Sequence, residues 1–231
     1  MISNVPRDTL DTLPPPKPLR DVVLVLLSVV LGALGAVVLL PVLLPGLGAT
    51  LVGAEPKVFW FMSRASGFAA FGMLWLSMVV GLSMTNKLAR LWPGAPTAFD
   101  LHQYFSLFGL ALALFHGLIL LGDRYMDPTI VQLALPFANA EYRPIPVGLG
   151  QLGFYLLAII AFSFYVRRRI GPHAWRLLHF GSFLAFALSL AHALLSGTDT
   201  GTMVATATYW GSAGSVLFLA VYRVLMSRCG R

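Results

Sequence analysis

The sequence predicts an all-α polytopic membrane protein, a six-transmembrane-helix bundle with both termini cytoplasmic. Three observations carry that expectation. Hydrophobic residues make up 58% of the 231 residues, charged residues only 11%, and the mean hydropathy is +0.80. A soluble domain carries roughly 25% charged residues. The few charges cut the chain into apolar runs, and about 20 apolar residues suffice to cross a bilayer. The Lys and Arg residues also fall mainly on one alternating set of the segments between those runs, as cytoplasmic loops do.

The first run lies between Asp21 and Glu55 and contains Pro41 and Pro45, so its helix is placed near 22–44. Arg64 and Lys87 bracket 22 uncharged residues, and Asp100 and Asp123 bracket another 22, giving helices near 58–84 and 99–122. Arg143 to Arg167 encloses 23, Arg176 to Asp199 encloses 22, and Asp199 to Arg223 encloses 23, giving helices near 148–166, 174–196 and 204–226. Residues 21–226 are thus one bundle. Residues 1–20, rich in proline (Pro14, Pro15, Pro16, Pro18), read as a disordered cytoplasmic tail, and 227–231 as a second short one. The first helix is too long for a signal peptide and lacks a small-residue cleavage site.

Orientation rests on the sixteen Lys and Arg residues. Twelve lie in the N-terminus, the 85–98 loop, the 167–176 region and the C-terminal tail. Only Lys57, Arg64, Arg124 and Arg143 lie on the opposite set. The net charge of +7 therefore reflects topology and contact with anionic membrane lipid, and no nucleic-acid partner is needed to account for it. The multi-pass architecture and charge bias place the protein in a cell inner or plasma membrane. Cys229 is the only cysteine, which rules out an intrachain disulfide or a thiolate-ligated cluster. The longest loop, 123–148, mixes Pro128, Pro136, Pro144 and Pro146 with apolar residues. That mixture suggests a segment lying along the membrane surface over the bundle.

Chemistry has to come from the histidines. His173 sits beside Pro172 in an Arg-rich segment and reads as solvated. His102, His116, His179 and His192 lie inside apolar runs, where an ionisable group is costly and usually functional. The third and fifth helices run in the same direction, so His102 matches His179 in depth and His116 matches His192. Fourteen residues separate the two levels by roughly 21 Å on the third helix, and thirteen by roughly 20 Å on the fifth. Fourteen steps also return His102 and His116 to one face, whereas thirteen leave His179 and His192 about 140° apart in a regular helix. A tilt, a wide turn or a π-bulge is then needed to aim both at one partner helix.

Zinc and non-haem iron want carboxylate or thiolate ligands, and Asp100, at the membrane edge, is the only acid near any of the four. Two neutral imidazoles across an apolar gap suit the axial positions of a haem. Gly109, Gly117, Gly181, Ala185 and Ala187 leave room for a flat macrocycle. The cofactor expectation is therefore two haem b groups, each bis-His, with the four histidines as metal ligands. Haem propionates need cations, and Arg64 and Arg176 are the candidates. Arg64 enters the second helix several residues deep, and Arg176 lies one turn before His179. Arg176 reads equally well as a positive-inside anchor.

These residues sit in SRASG and LWLSMVVGL, then DLHQYFSLFGLALALFHG, then WRLLHFGSFLAFALSLAHALLSGTDTG. With them the chain resembles the ferric reductase-like transmembrane family from Val58 to Arg223. That family includes the membrane domains of NADPH oxidases and ferric-chelate reductases, and the haem-bearing subunit of periplasmic methionine-sulfoxide reductase systems. The resemblance implies that His102 and His179 ligate an inner haem, that His116 and His192 ligate an outer one, and that Arg64 meets the outer propionates. The 14-then-13 histidine spacing is a habit of the family. Its reductases usually continue into a cytoplasmic flavin and nicotinamide domain. Here no Gly-rich dinucleotide motif follows, so a stand-alone form is expected, with flavin supplied only by a partner. Both inner histidines are present, where the methionine-sulfoxide reductase subunits tend to vary.

The function expected is transmembrane electron transfer as the haem component of an oxidoreductase. A separate flavoprotein or a quinol donor would feed the inner haem, and the outer haem would serve ferric iron, oxygen or an external oxidoreductase. A quinol-oxidising cytochrome b anchor of a periplasmic dehydrogenase shares the di-haem expectation. A histidine-relay transporter is the competing class, and it is disfavoured because no Asp or Glu is expected within any span.

Overall fold

The computed structural model describes residues 17–43, 57–86, 88, 94–124, 126–138 and 142–229, with 57 and 227–229 as backbone alone. Among them helices are the only regular structure: α1 (Leu19–Leu43), α2 (Lys57–Thr85), α3 (Ala95–Leu118) with a 3₁₀ turn at Ile119–Gly122, the short α4 (Ile130–Ala134), α5 (Pro144–Ser196) and α6 (Met203–Cys229). All but α4 are long and apolar enough to cross a membrane, which makes five. The tail expected over 1–20 lies outside the described residues up to 16, and α1 already begins at Leu19. At the other end α6 runs on to Cys229, past the boundary expected at 226.

The departure from six separate helices is at α5. Its 53 residues would extend about 80 Å at 1.5 Å per residue, far more than a bilayer. The helix breaks at Gly171, whose φ of 82° and ψ of 163° are open only to glycine without strain. Pro172 follows and cannot donate back into the preceding turn. The two arms, 144–170 and 172–196, fold against each other as an antiparallel pair. A Cβ on Gly153 would meet the Ser189 Oγ, and one on Gly181 would meet Leu156 and Ile160. His173, expected in a loop, begins the second arm as an exposed helical residue.

Helix α2 is the centre of the bundle. One stripe of it, Phe71, Leu74, Met78 and Leu82, is buried with Phe186 of α5 and with Ala205, Tyr209 and Val216 of α6. The stripe has the three-to-four-residue spacing of one helix face. Polar ties hold α6 beside it: the Trp75 indole N–H donates to the Ser215 hydroxyl at 2.8 Å and the Asn86 amide donates to the Leu219 carbonyl at 3.1 Å. Between helices such ties carry weight, because hydrophobic burial gives apolar helices little reason to associate in lipid. On another face α2 packs antiparallel to α3, with Gly109 admitting Met73 closely. Helix α1 covers Phe59 and Ile119 with Ala36, Val37 and Leu40.

The segment after α3 folds over one end of the bundle. Thr129 caps α4 in a reciprocal arrangement with Gln132. Gln151 of α5 then staples it, donating to the carbonyls of Gln132 and Leu133 at 2.7 and 2.9 Å. Met126, Pro128 and Leu133 line the cavity that this segment covers.

Candidate functional site

The four intramembrane histidines form two opposed pairs. The rings of His102 and His179 lie 6.0 Å apart between centroids at an interplanar angle of 71°. Those of His116 and His192 lie 6.1 Å apart at 76°. An imidazole nitrogen sits about 2 Å from a bound metal, so two rings on opposite sides of one metal have centroids about 6.3 Å apart. Both pairs match that spacing. Among the described residues no three His, Cys, Asp or Glu side chains converge on one point. The imidazoles come in twos, which fits the axial positions of a haem better than a tetrahedral site.

Hydrogen bonding fixes the orientation of three of these rings. The His116 Nδ1–H donates to the Ser63 carbonyl at 2.7 Å, and the His102 Nδ1–H donates to the Ser77 carbonyl at 2.9 Å. The His192 Nδ1–H donates to the Pro146 carbonyl at 2.9 Å. A proton committed to Nδ1 leaves the Nε2 lone pair for a metal, and the carbonyl fixes the ring's orientation. The Ser63 and Ser77 hydroxyls add contacts at 3.0 and 3.1 Å to the same Nδ1 atoms.

Each carbonyl is followed four residues later by a glycine on which the ring rests. A Cβ on Gly67 would lie 2.8 Å from His116, one on Gly81 3.2 Å from His102, and one on Gly150 2.6 Å from His192. Four residues is about one helical turn, so carbonyl and glycine share a face. The sequence carried this signal: Ser63 to Ser77 and Gly67 to Gly81 repeat at the same fourteen-residue interval as His102 to His116. These serines and glycines fell inside the quoted motifs SRASG and LWLSMVVGL, but sequence reasoning gave them no role.

The thirteen-residue spacing on α5 is met without a π-bulge, since the arm is α-helical throughout 172–196. In a regular helix that interval leaves His179 and His192 about 140° apart, yet each ring faces a histidine of α3. Only His192 finds a carbonyl on the first arm of α5. Among the described residues no hydrogen bond reaches the His179 ring; the Trp175 indole stacks on it instead, at 5.3 Å and 26°.

A cavity of about 560 Å³ surrounds the His116–His192 pair. Its walls include Gly67, Gly109, Gly117, Phe154 and Tyr209, and Arg64 and Asp199 stand at its polar end. Of the small residues expected to make room for a macrocycle, Gly109 and Gly117 line this space. Gly181 and Ala185 instead pack the two arms of α5 together, and Ala187 is exposed.

Arg64, expected from sequence to meet a haem propionate, also has a protein partner: it forms an ion pair with Asp199, from the loop between α5 and α6. That loop turns inward at the bundle end, a placement that linear distance from a span does not reveal. Arg176 is half-buried, one turn from His179, and has no ion pair among the described residues. Arg167, counted from sequence among the cytoplasmic-side cations, is buried, with its guanidinium 3.9 Å from the Phe164 ring centroid.

No family model matches this chain, and neither a curated protein nor a solved structure matches it.

Proposed function

We propose that the chain is a transmembrane electron-transfer protein with two bis-His haem b sites, His102 with His179 and His116 with His192. The single observation behind this is the pair of opposed imidazoles at ligand spacing, with three of the four Nδ1–H groups held by backbone carbonyls. When bound, the two haems supply one-electron redox centres at two depths. The chain's own residues do the rest. Helices α2 and α3 hold two of the rings, the arms of α5 hold the others, and the apolar bundle excludes water. While both histidines of a pair hold the haem, neither site would leave a position for inner-sphere oxygen chemistry.

In the same reading the break at Gly171 lets α5 cross twice, giving six crossings with both termini cytoplasmic. The arginines around Gly171 then mark the cytoplasmic end, and Arg64 and Asp199 mark the outer one. Electrons would enter at the His102–His179 level from a separate flavoprotein or a quinol, and leave from the His116–His192 level to ferric iron, oxygen or an external oxidoreductase. The residues of the ferric reductase-like resemblance are the ones that form both pairs. A pyridine haemochrome assay on the purified protein should return two haems per chain, both low-spin. Absence of haem after expression with ample haem supply would end this proposal.

Arg64 and Asp199 should tune the outer haem in opposite senses. A guanidinium at the centre of a span costs about 2.5–3.5 kcal/mol on insertion scales; Arg64 stands nearer the end, where the cost is smaller, and Asp199 offsets part of it. A cation beside a haem disfavours its more positive oxidised form. Arg64→Ala should therefore lower the midpoint of the His116–His192 haem, and Asp199→Asn should raise it. Arg176→Ala should act, if at all, on the other haem. Redox titration reads all three, and shifts of the same sign for Arg64→Ala and Asp199→Asn would show that the pair does not act through charge.

A further inference from the structure

Three of the four histidines are oriented by the same device, and the fourth is not. On α3 the fourteen-residue interval returns His102 and His116 to one flank, where the Ser77 and Ser63 carbonyls of α2 meet their Nδ1–H groups. On α5 the thirteen-residue interval turns His179 about 140° away from His192. His192 finds the Pro146 carbonyl and rests on Gly150. His179 is left with the face of Trp175, one turn earlier on its own helix.

The indole is itself braced. Its ring meets Phe164 of the first α5 arm at 6.0 Å and an angle of 52°, and the Arg167 guanidinium lies over that same Phe164 ring at 3.9 Å. The Trp175 Nε1 atom is buried and has no acceptor among the described residues. What the tryptophan offers His179 is therefore its ring face. Stacking restrains tilt but leaves rotation in the ring plane, whereas a hydrogen bond to a fixed carbonyl restrains direction.

We propose that Trp175 is the positioning residue of His179, and that the His102–His179 level is consequently the one where an axial imidazole gives way to a small neutral ligand. The inference rests on the di-haem reading above. At the other level both imidazoles are locked by a carbonyl and a glycine, so neither can leave without disturbing two contacts on a neighbouring helix segment. At this level only His102 is locked in that way. The ligand class is small and uncharged, of the kind that binds ferrous haem; carbon monoxide is the probe.

The experiment uses the full chain in detergent or nanodiscs, reduced with dithionite, in three forms: wild type, Trp175→Phe and Trp175→Leu. Phenylalanine keeps a ring face, and leucine fills space without one. Haem is counted first, and the carbon monoxide adduct is then followed by difference spectroscopy. A His116→Ala background, which leaves only the His102–His179 level, assigns the signal. The expected result is a carbon monoxide adduct on one haem of two in Trp175→Leu, forming at least tenfold faster than in wild type. Trp175→Phe should behave as wild type. Loss of the His102–His179 haem alone in Trp175→Leu supports the same positioning role.

Equal behaviour of the Phe and Leu variants would overturn the proposal, since the ring face would then be irrelevant. So would an adduct assigned to the His116–His192 level, or two haems in Trp175→Leu as slow to bind carbon monoxide as in wild type. A wild-type chain without haem would instead fail the di-haem reading itself, and the haem count separates the two failures.

Discussion

Replacing His192 or His116 by alanine is expected to halve the haem content, leaving the His102–His179 level filled. His102→Ala or His179→Ala should do the reverse. The pairing follows from the rings that face each other at 6.0 and 6.1 Å. Changes in the groups that merely orient a ligand already cost about 10–100-fold in affinity, and removing the ligand costs more. The two levels share no histidine, and they stand about 21 Å apart along α3. The two losses should therefore be independent. Optical spectra and pyridine haemochrome counts on the four single variants would check this. Depletion of one spectral component by both His102→Ala and His192→Ala would show the pairing to be wrong.

The second large effect comes from residues that bind nothing. Gly150→Ala places a methyl group about where the His192 ring already stands, 2.6 Å from its nearest ring atoms. Something must shift, and overpacking of this kind costs about 1–3 kcal/mol. The ring is the softer party, since Gly150 belongs to a regular helix. His192 should swing away from the Pro146 carbonyl and from His116, and haem at that level should be lost. Gly67→Ala, at 2.8 Å from His116, should act in the same way, and Gly81→Ala, at 3.2 Å from His102, more mildly. Gly72→Ala, with nothing within 4 Å, is the control on the same helix as Gly67 and Gly81. Alanine is the better helix former by about 1 kcal/mol, so the helices themselves should not weaken. Haem counts across this series should follow the contact distances. If Gly150→Ala and Gly72→Ala retain haem equally, the glycines do not cradle the rings.

Much of this was legible in the linear chain. Composition dictates an apolar bundle, because a chain with so few charges cannot cover itself in water. The charges bracket the helices to within a few residues, since a charge inside lipid is expensive at any position. The fourteen-residue interval on α3 put His102 and His116 on one face, and rise per residue alone set the two depths. Those are properties of a single helix, and a single helix is readable from sequence. The Ser-to-Gly intervals on α2 carried equal information. They went unused because serine and glycine are common in membrane spans, and their role shows only when a second helix is laid beside them.

What tertiary structure decided concerns pairs of elements. The break at Gly171 and the antiparallel closure of the two arms brought Pro146 to His192. The turn of the 197–202 loop brought Asp199 to Arg64, a pairing that its position outside the spans does not reveal. The fate of the thirteen-residue interval was also settled here: no π-bulge formed, and both histidines still face a partner on α3. The physical reason is common to all three. A sequence fixes what each residue can do and where it sits along its own helix axis. Which carbonyl, carboxylate or ring fills the space beside it depends on how neighbouring helices are rotated and tilted, and close packing sets that for the whole bundle at once.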